Sequence, residues 1–174
     1  MPEGWTNGED LPGQVLLSRT GDTDVDTWGG SYIGIYQNVR APAPCGEKPQ
    51  AGVGTSATDL AAWYRTRPGL QIVRDVPVTV GGLTGTALDL TVDRGWTTSC
   101  PPGALNAIPI LIGGGVSDFH HVIGPPLEMR LILLNWKDGN VAIEVTALLG
   151  QHSLTNYLHE TGADAIVNSF DFAS

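Results

Sequence analysis

A chain of 174 residues suits one domain, which at this size buries roughly 70% of the surface its unfolded form exposes, and leaves little room for a second. Charged residues make up 16% of it, below the usual ~25%, so surface polarity must come from Thr, Ser, Asn, Gln and Gly. Nine Lys and Arg face 18 Asp and Glu, a formal charge of −9 that repels phosphate backbones and anionic headgroups and argues against a nucleic-acid partner.

Residues 1–30 are rich in Gly, Asp, Thr and Pro around one apolar island, Val15 to Leu17, and are expected to form a mostly irregular N-terminal arm, wrapped on the surface or lying as an extended edge, preceding a single domain over 31–174. The opening MPEGWTNGEDLPG lacks the basic start and apolar core of a signal peptide. No apolar run reaches the ~18 residues of a membrane-spanning helix, so membrane association is expected only through an anchor absent from this chain. Within the arm, Asp22, Asp24 and Asp26 alternate like the start of a calcium loop, but Thr27 stands where that loop needs Gly and Ile33 where it needs Glu. Trp28 follows, an aromatic in a loop that could stack on a sugar or peptide.

SYIGIYQNV (31–39) carries β-forming residues around Tyr32 and Tyr36 and is expected to be a strand. The loop after it holds Cys45. In GTSATDLAAWYRTRPGL, Ser56 and Asp59 stand in capping-box register, Leu60, Trp63 and Tyr64 share a helical face, and Pro68 with Gly69 ends the helix.

VTVGGLTGTALD (78–89) poses the question of a phosphate cradle. The glycines are followed by a period-two strand pattern without lysine, rather than by a helix or Gly-Lys-Ser/Thr, so they mark a turn or bulge between strands 70–80 and 83–92. Trp96 and Cys100 lie in the irregular stretch beyond. Both cysteines sit in Pro/Gly loops, where a free buried thiol is unusual, so a bridge between Cys45 and Cys100 is expected, with two unpaired thiols, or a metal site for which no further ligands stand at suitable spacing, as the competing readings.

A short apolar segment, ALNAIPILIG, leads into a long expected loop, GGGVSDFHHVIGPP. Asp118, His120 and His121 together offer the residue types of proton transfer or metal ligation, with His152 or His159 as a conceivable third ligand. Adjacent histidines on an extended backbone point to opposite faces, however, so neither a metal nor another cofactor is assigned. No G-x-S-x-G elbow is present. LEMRLILLNW (127–136) and VAIEVTALL (141–149) are the clearest strands, joined through KDGN and apolar on both faces, as in a sheet covered on both sides. Ser153 can cap a last helix from LTNYLHE past Gly162 to Val167, and FDF is expected as a short closing strand.

The helix ending in RPGL, the VTVGGLTGTALD hairpin, the loop-and-strand run FHHVIGPPLEMRLILLNWKDGNVAIEV and the closing NSF together resemble actinobacterial extracytoplasmic, lipoprotein-like domains of the PsbP-like fold group, with LpqN-type lipoproteins as more distant relatives. The likeness covers about residues 40–172. It implies an α+β fold, an antiparallel β-sheet with two main helices packed on it in an α/β/α sandwich, and a secreted or cell-surface location; it implies no catalytic residue set. The function expected is a non-enzymatic binding or protein-interaction module for an unknown protein or small-molecule ligand. Its possible binding residues are Trp28, Trp96, Asp118, His120 and His121. The alternatives are a histidine- or metal-assisted hydrolase at SDFHH and an accessory domain of a membrane-associated assembly.

Overall fold

The computed structural model describes residues 3–20, 31–45, 48–98, 106–113, 120–148 and 153–172, with His120 and Leu148 as backbone alone. In chain order the elements are β1 (Trp5–Leu11), β2 (Gln14–Arg19), β3 (Tyr32–Gln37), α1 (Ala57–Thr66), β4 (Leu70–Val80), β5 (Leu83–Val92), β6 (Ile108–Ile112), β7 (His120–Ile123), β8 (Leu127–Trp136), β9 (Gly139–Leu148), α2 (Leu154–Glu160) and α3 (Ala163–Asn168). Seven strands form one sheet in the order β1-β2-β3-β9-β8-β5-β4, every neighbouring pair antiparallel, and β6 with β7 forms a separate two-stranded sheet. The fold is α+β, as expected.

Because β8 and β9 lie inside the sheet, both of their faces are buried, which explains their continuous apolar sequences. One face, bearing Leu88, Leu131 and Leu133, packs under α1, β6 and β7. The other, bearing Ala87, Ile132 and Ile143, packs under α2 and α3. Helix α1 begins where expected: the Asp59 N–H donates to Ser56 Oγ at 3.1 Å, and the Ser56 hydroxyl donates back to Asp59 Oδ2 at 2.6 Å. The Tyr64 hydroxyl then donates to the Ile110 carbonyl at 2.6 Å, tying the helix to β6.

The glycines of VTVGGLTGTALD make a turn. Val80 pairs with Leu83, and Gly81 and Gly82 between them take φ of 54° and 80°, the positive values a two-residue hairpin of this hand requires. Gly85 serves a different purpose, since a Cβ there would lie 1.8 Å from the Leu133 carbonyl oxygen of β8.

Several expectations need correcting. Residues 5–19 of the supposed irregular arm form a hairpin that extends the main sheet, turning at Pro12-Gly13 with Gly13 at φ 78°. Its outer strand is exposed except for Trp5, so the apolar alternation that announces a strand is missing. His120–Ile123, expected in a loop, is strand β7, whose pairing with β6 is long-range and leaves no local signal. The β8–β9 turn is only Lys137-Asp138, with Gly139 and Asn140 already in β9. The last helix is interrupted by Gly162 at φ 70°, giving α2 and α3. FDF is no strand; Phe170 and Phe172 pack irregularly against the second core, and Phe172 lies over Gly81, where a Cβ would come within 2.6 Å of its ring. Among the described residues no helix is long and apolar enough to cross a membrane.

Candidate functional site

Of the adjacent histidines 120 and 121, His121 is the one whose side chain lies among the described residues. Strand β7 carries it against the α1-side face of the main sheet, where β3 presents Tyr32, Gly34 and Tyr36 and β9 presents Glu144 directly opposite Gly34. Glycine is needed at 34 because a Cβ would strike the Tyr36 phenol at 2.1 Å, so its absence opens the space that the phenol and carboxylate fill. His121 Nδ1 lies 2.6 Å from Glu144 Oε2, to which the Tyr32 hydroxyl also donates at 2.8 Å. The imidazole meets the Tyr36 ring edge-on at 4.8 Å.

Glu144 is fully buried, and its second oxygen, Oε1, has no hydrogen-bond partner among the described residues. A buried carboxylate so placed depends on a cation for compensation. Burial alone would lower the His121 pKa, but the charge and hydrogen bond of Glu144, with a further push from Glu9, outweigh it and hold the imidazole above the ordinary histidine range. Burial, then the Glu144 charge, holds the Tyr32 and Tyr36 phenols well above the usual tyrosine value. The His121 side chain is only 18% exposed. The group therefore has the parts of a base and its orienting carboxylate, yet they are turned inward, joining the small sheet to the large one.

The sequence reading passed over Glu144, Tyr32 and Gly34. A signal was available: a single carboxylate in the otherwise two-sided apolar strand VAIEVTALL must find a partner when buried. Asn140, expected in the turn, is another such residue. It is fully buried, accepts the Val39 N–H at 3.1 Å, and donates to the carbonyls of Val39 at 3.0 Å and Thr55 at 2.8 Å.

Trp96 is half-buried and packs against the α1-side core, and a Cβ at Gly69 would fall 2.5 Å from its ring. Trp63 and Trp136 pack at the rims of the two cores. His159 is exposed on α2, across the sheet from His121. Among the described residues no group of three or more His, Cys, Asp or Glu could hold a metal. Trp28, Cys100, Asp118, the His120 side chain, His152 and the aspartates at 22, 24 and 26 lie outside the described residues. Cys45 closes a short turn at φ 54°, and among the described residues no cysteine is free.

One open space among the described residues lies on the opposite face. Between α3 and strands β4, β5, β8 and β9 is a cavity of about 290 Å³. Val80, Ala87, Ile132 and Val145 supply apolar wall, while Arg74, Arg130 and Asp164 bring charge to its lining. Arg130 is already matched: it forms a two-pronged pair with Asp89 at 2.7 and 2.9 Å, and its Nη1 donates to Asp164 at 3.1 Å. The Asp89 hydrogen bonds, with lesser help from Asp164, raise the guanidinium pKa further, so Arg130 stays charged. Arg74 is exposed on β4 and has no hydrogen bond or ion pair among the described residues.

No protein-family model matches this chain, nor does any curated protein. Among solved structures, it is similar to the solution structure of cyanobacterial PsbP (CyanoP) from Synechocystis sp. PCC 6803, with a TM-score of 0.41 and 11% identity, covering 97% of this chain and 81% of that one. It is also similar to the crystal structure of a STAR-related lipid transfer protein fragment from Xanthomonas axonopodis, with a TM-score of 0.34 and 12% identity, covering 96% and 92% of the two chains.

Proposed function

We propose that this protein is a non-enzymatic binding module working outside the cytoplasmic membrane. One observation carries the reading: the acid–base residues of the His121 group face inward between two sheets, whereas a cavity lined by both aliphatic and charged side chains opens on the other face. Ligand sites are typically such concavities, with a few polar groups fixing orientation. The extracytoplasmic location rests on the proposed Cys45–Cys100 bridge, which agrees with the absence of a free thiol at Cys45 and belongs to an oxidising compartment.

Two measurements test this. Incubated with ester, peptide, glycoside and phosphate substrates, the native protein and His121→Ala are both expected to show no turnover above background; turnover present in the native protein and lost in the variant would establish the hydrolase alternative. In a thermal-shift screen of small fragments, at least one is expected to raise the melting temperature saturably, as mass action requires of a ligand that prefers the folded state. A screen without any such fragment would favour the accessory-domain alternative.

A further inference from the structure

We infer that the cavity beneath α3 is a binding site for a small zwitterion of the free α-amino acid class, its carboxylate held by Arg74 and Arg130 and its ammonium by Asp164. The inference rests on the binding-module reading and specifies its ligand.

The walls set the first limit. Of the aliphatic residues that line the cavity, Val80, Ala87, Ile132 and Val145 are no more than 5% exposed, so they close it without offering surface to a ligand. What a ligand meets is set by the polar and charged lining, Arg74, Thr79, Arg130, Asp164 and Asn168, which favours a molecule bringing hydrogen-bonding groups of its own. Size sets the second limit. At the ~30 Å³ a water molecule occupies in the liquid, a cavity of about 290 Å³ takes on the order of ten non-hydrogen atoms, enough for a small amino acid and too little for a nucleotide.

Charge decides the two poles. Arg74 of β4, Asp89 of β5 and Arg130 of β8 stand opposite one another in register, so three charged side chains form one row on the face beneath α3. Arg74 joins that row because Val73 is bulged. Ile72 pairs with Leu90 of the α1-side core, whereas Arg74, two residues on, pairs with Asp89 on the opposite face. Both oxygens of Asp89 are engaged by Arg130, which leaves Arg74 without a partner among the described residues. Arg130, its side chain 12% exposed, is fixed by those bonds and by Asp164; they use three of a guanidinium's five N–H groups and leave one on each terminal nitrogen. Two guanidinia flanking one carboxylate thus present a donor set suited to a further carboxylate. Asp164 lines the cavity from α3, with its side chain 51% exposed and only its Oδ1 engaged, by Arg130 at 3.1 Å, so it can accept from an ammonium. The charges of the two arginines and two aspartates cancel. A ligand with one charge of each sign keeps the site neutral, whereas a simple anion is repelled by Asp164 and a simple cation by the arginines.

The test is titration of the ¹⁵N-labelled protein with L-serine, followed by two-dimensional amide NMR, against two smaller analogues. These are 3-hydroxypropanoate, which is serine without its ammonium, and ethanolamine, which is serine without its carboxylate. Serine is expected to shift amides of residues 79, 80, 145, 167 and 168 saturably, with a dissociation constant on the order of 1 mM, ordinary for a ligand of so few atoms. Each analogue is expected to bind about tenfold more weakly, the loss of one charge-assisted contact at a partly exposed site. Arg74→Gln is expected to weaken serine about tenfold and leave ethanolamine unchanged, and Asp164→Asn to weaken serine by about the same factor and leave 3-hydroxypropanoate unchanged or tighter. If 3-hydroxypropanoate binds the native chain as tightly as serine, the ammonium pole is overturned; if ethanolamine does, the carboxylate pole is. Either result removes the zwitterion assignment while leaving a binding module. Shifts absent from the cavity residues for all three compounds would overturn the site itself, and only a silent fragment screen as well would remove the binding reading with it. Arg74 and Asp164 are both exposed, so their variants are expected to keep the native melting temperature, and the analogue series on the native chain decides the poles without them.

Discussion

Gly82 and Gly85 lie three residues apart in one hairpin and are required for different physical reasons. At Gly82 the requirement is conformational: φ is 80° and nothing lies within 4 Å of a built Cβ. At Gly85 the backbone is unexceptional and the requirement is steric, set by the Leu133 carbonyl oxygen. Gly82→Ala is therefore expected to cost about 1 kcal/mol, the left-handed penalty of an L-residue. Gly85→Ala is expected to cost about 3 kcal/mol, because β8 must move to admit a methyl group. Urea unfolding of both variants checks the order, and equal costs would show that the β5–β8 contact yields freely. The sequence identified the turn, since paired glycines between alternating segments are a local signal; it did not separate the role of Gly85, which depends on a strand more than forty residues away.

At the scale of elements, the His121–Glu144 pair holds the β6–β7 sheet on the main sheet. Among the described residues, the titratable groups around the imidazole are Glu144 of β9, Tyr32 and Tyr36 of β3 and Glu9 of β1. Its folded pKa lies above the ordinary histidine value of 6.5. Stability from the charged pair is thus fully present below pH 6.5 and is lost as pH rises through the folded value. His121→Gln is expected to destabilise the protein by about 2–4 kcal/mol in that lower range, where it leaves the Glu144 carboxylate buried without a cation. The difference from the native chain should narrow as the pH is raised, and denaturant unfolding across the series measures it; a difference growing with pH would refute the assignment. SDFHH had singled out the histidine. The carboxylate was hidden in a strand, the phenol in another, and β7 in an expected loop, so the assembly could not be foreseen.

At the scale of the whole molecule, the proposed Cys45–Cys100 bridge would link the segment after β3 to the segment after β5. It closes a loop of about 56 residues, for which chain entropy gives roughly 4 kcal/mol. At ~2–4 °C per kcal/mol in a chain of this length, reduction should lower the melting temperature by about 10 °C. The Cys45→Ser, Cys100→Ser double variant should melt at that lower temperature and ignore reductant. Two reactive thiols titrated in the unreduced, denatured protein would exclude the bridge. The N-terminal hairpin belongs at this scale too: Trp5 is 4% exposed, and its Nε1 donates to the Thr161 carbonyl at 3.1 Å, so the first strand is pinned to the α2–α3 junction at the far end of the chain.

The amino-acid sequence by itself determined the elements whose reasons are local. The Ser56 cap of α1, its stop at Pro68-Gly69, the Gly81-Gly82 turn and the doubly apolar strands β8 and β9 follow from caps, positive φ and hydrophobic period, each legible within a dozen residues. Tertiary structure alone decided that the arm is an edge hairpin, that His121 faces Glu144, and that Arg130 pairs with Asp89. Those outcomes depend on strand order and on which face a side chain meets. A sheet whose neighbours are drawn from both ends of the chain sets them through contacts that no short window contains.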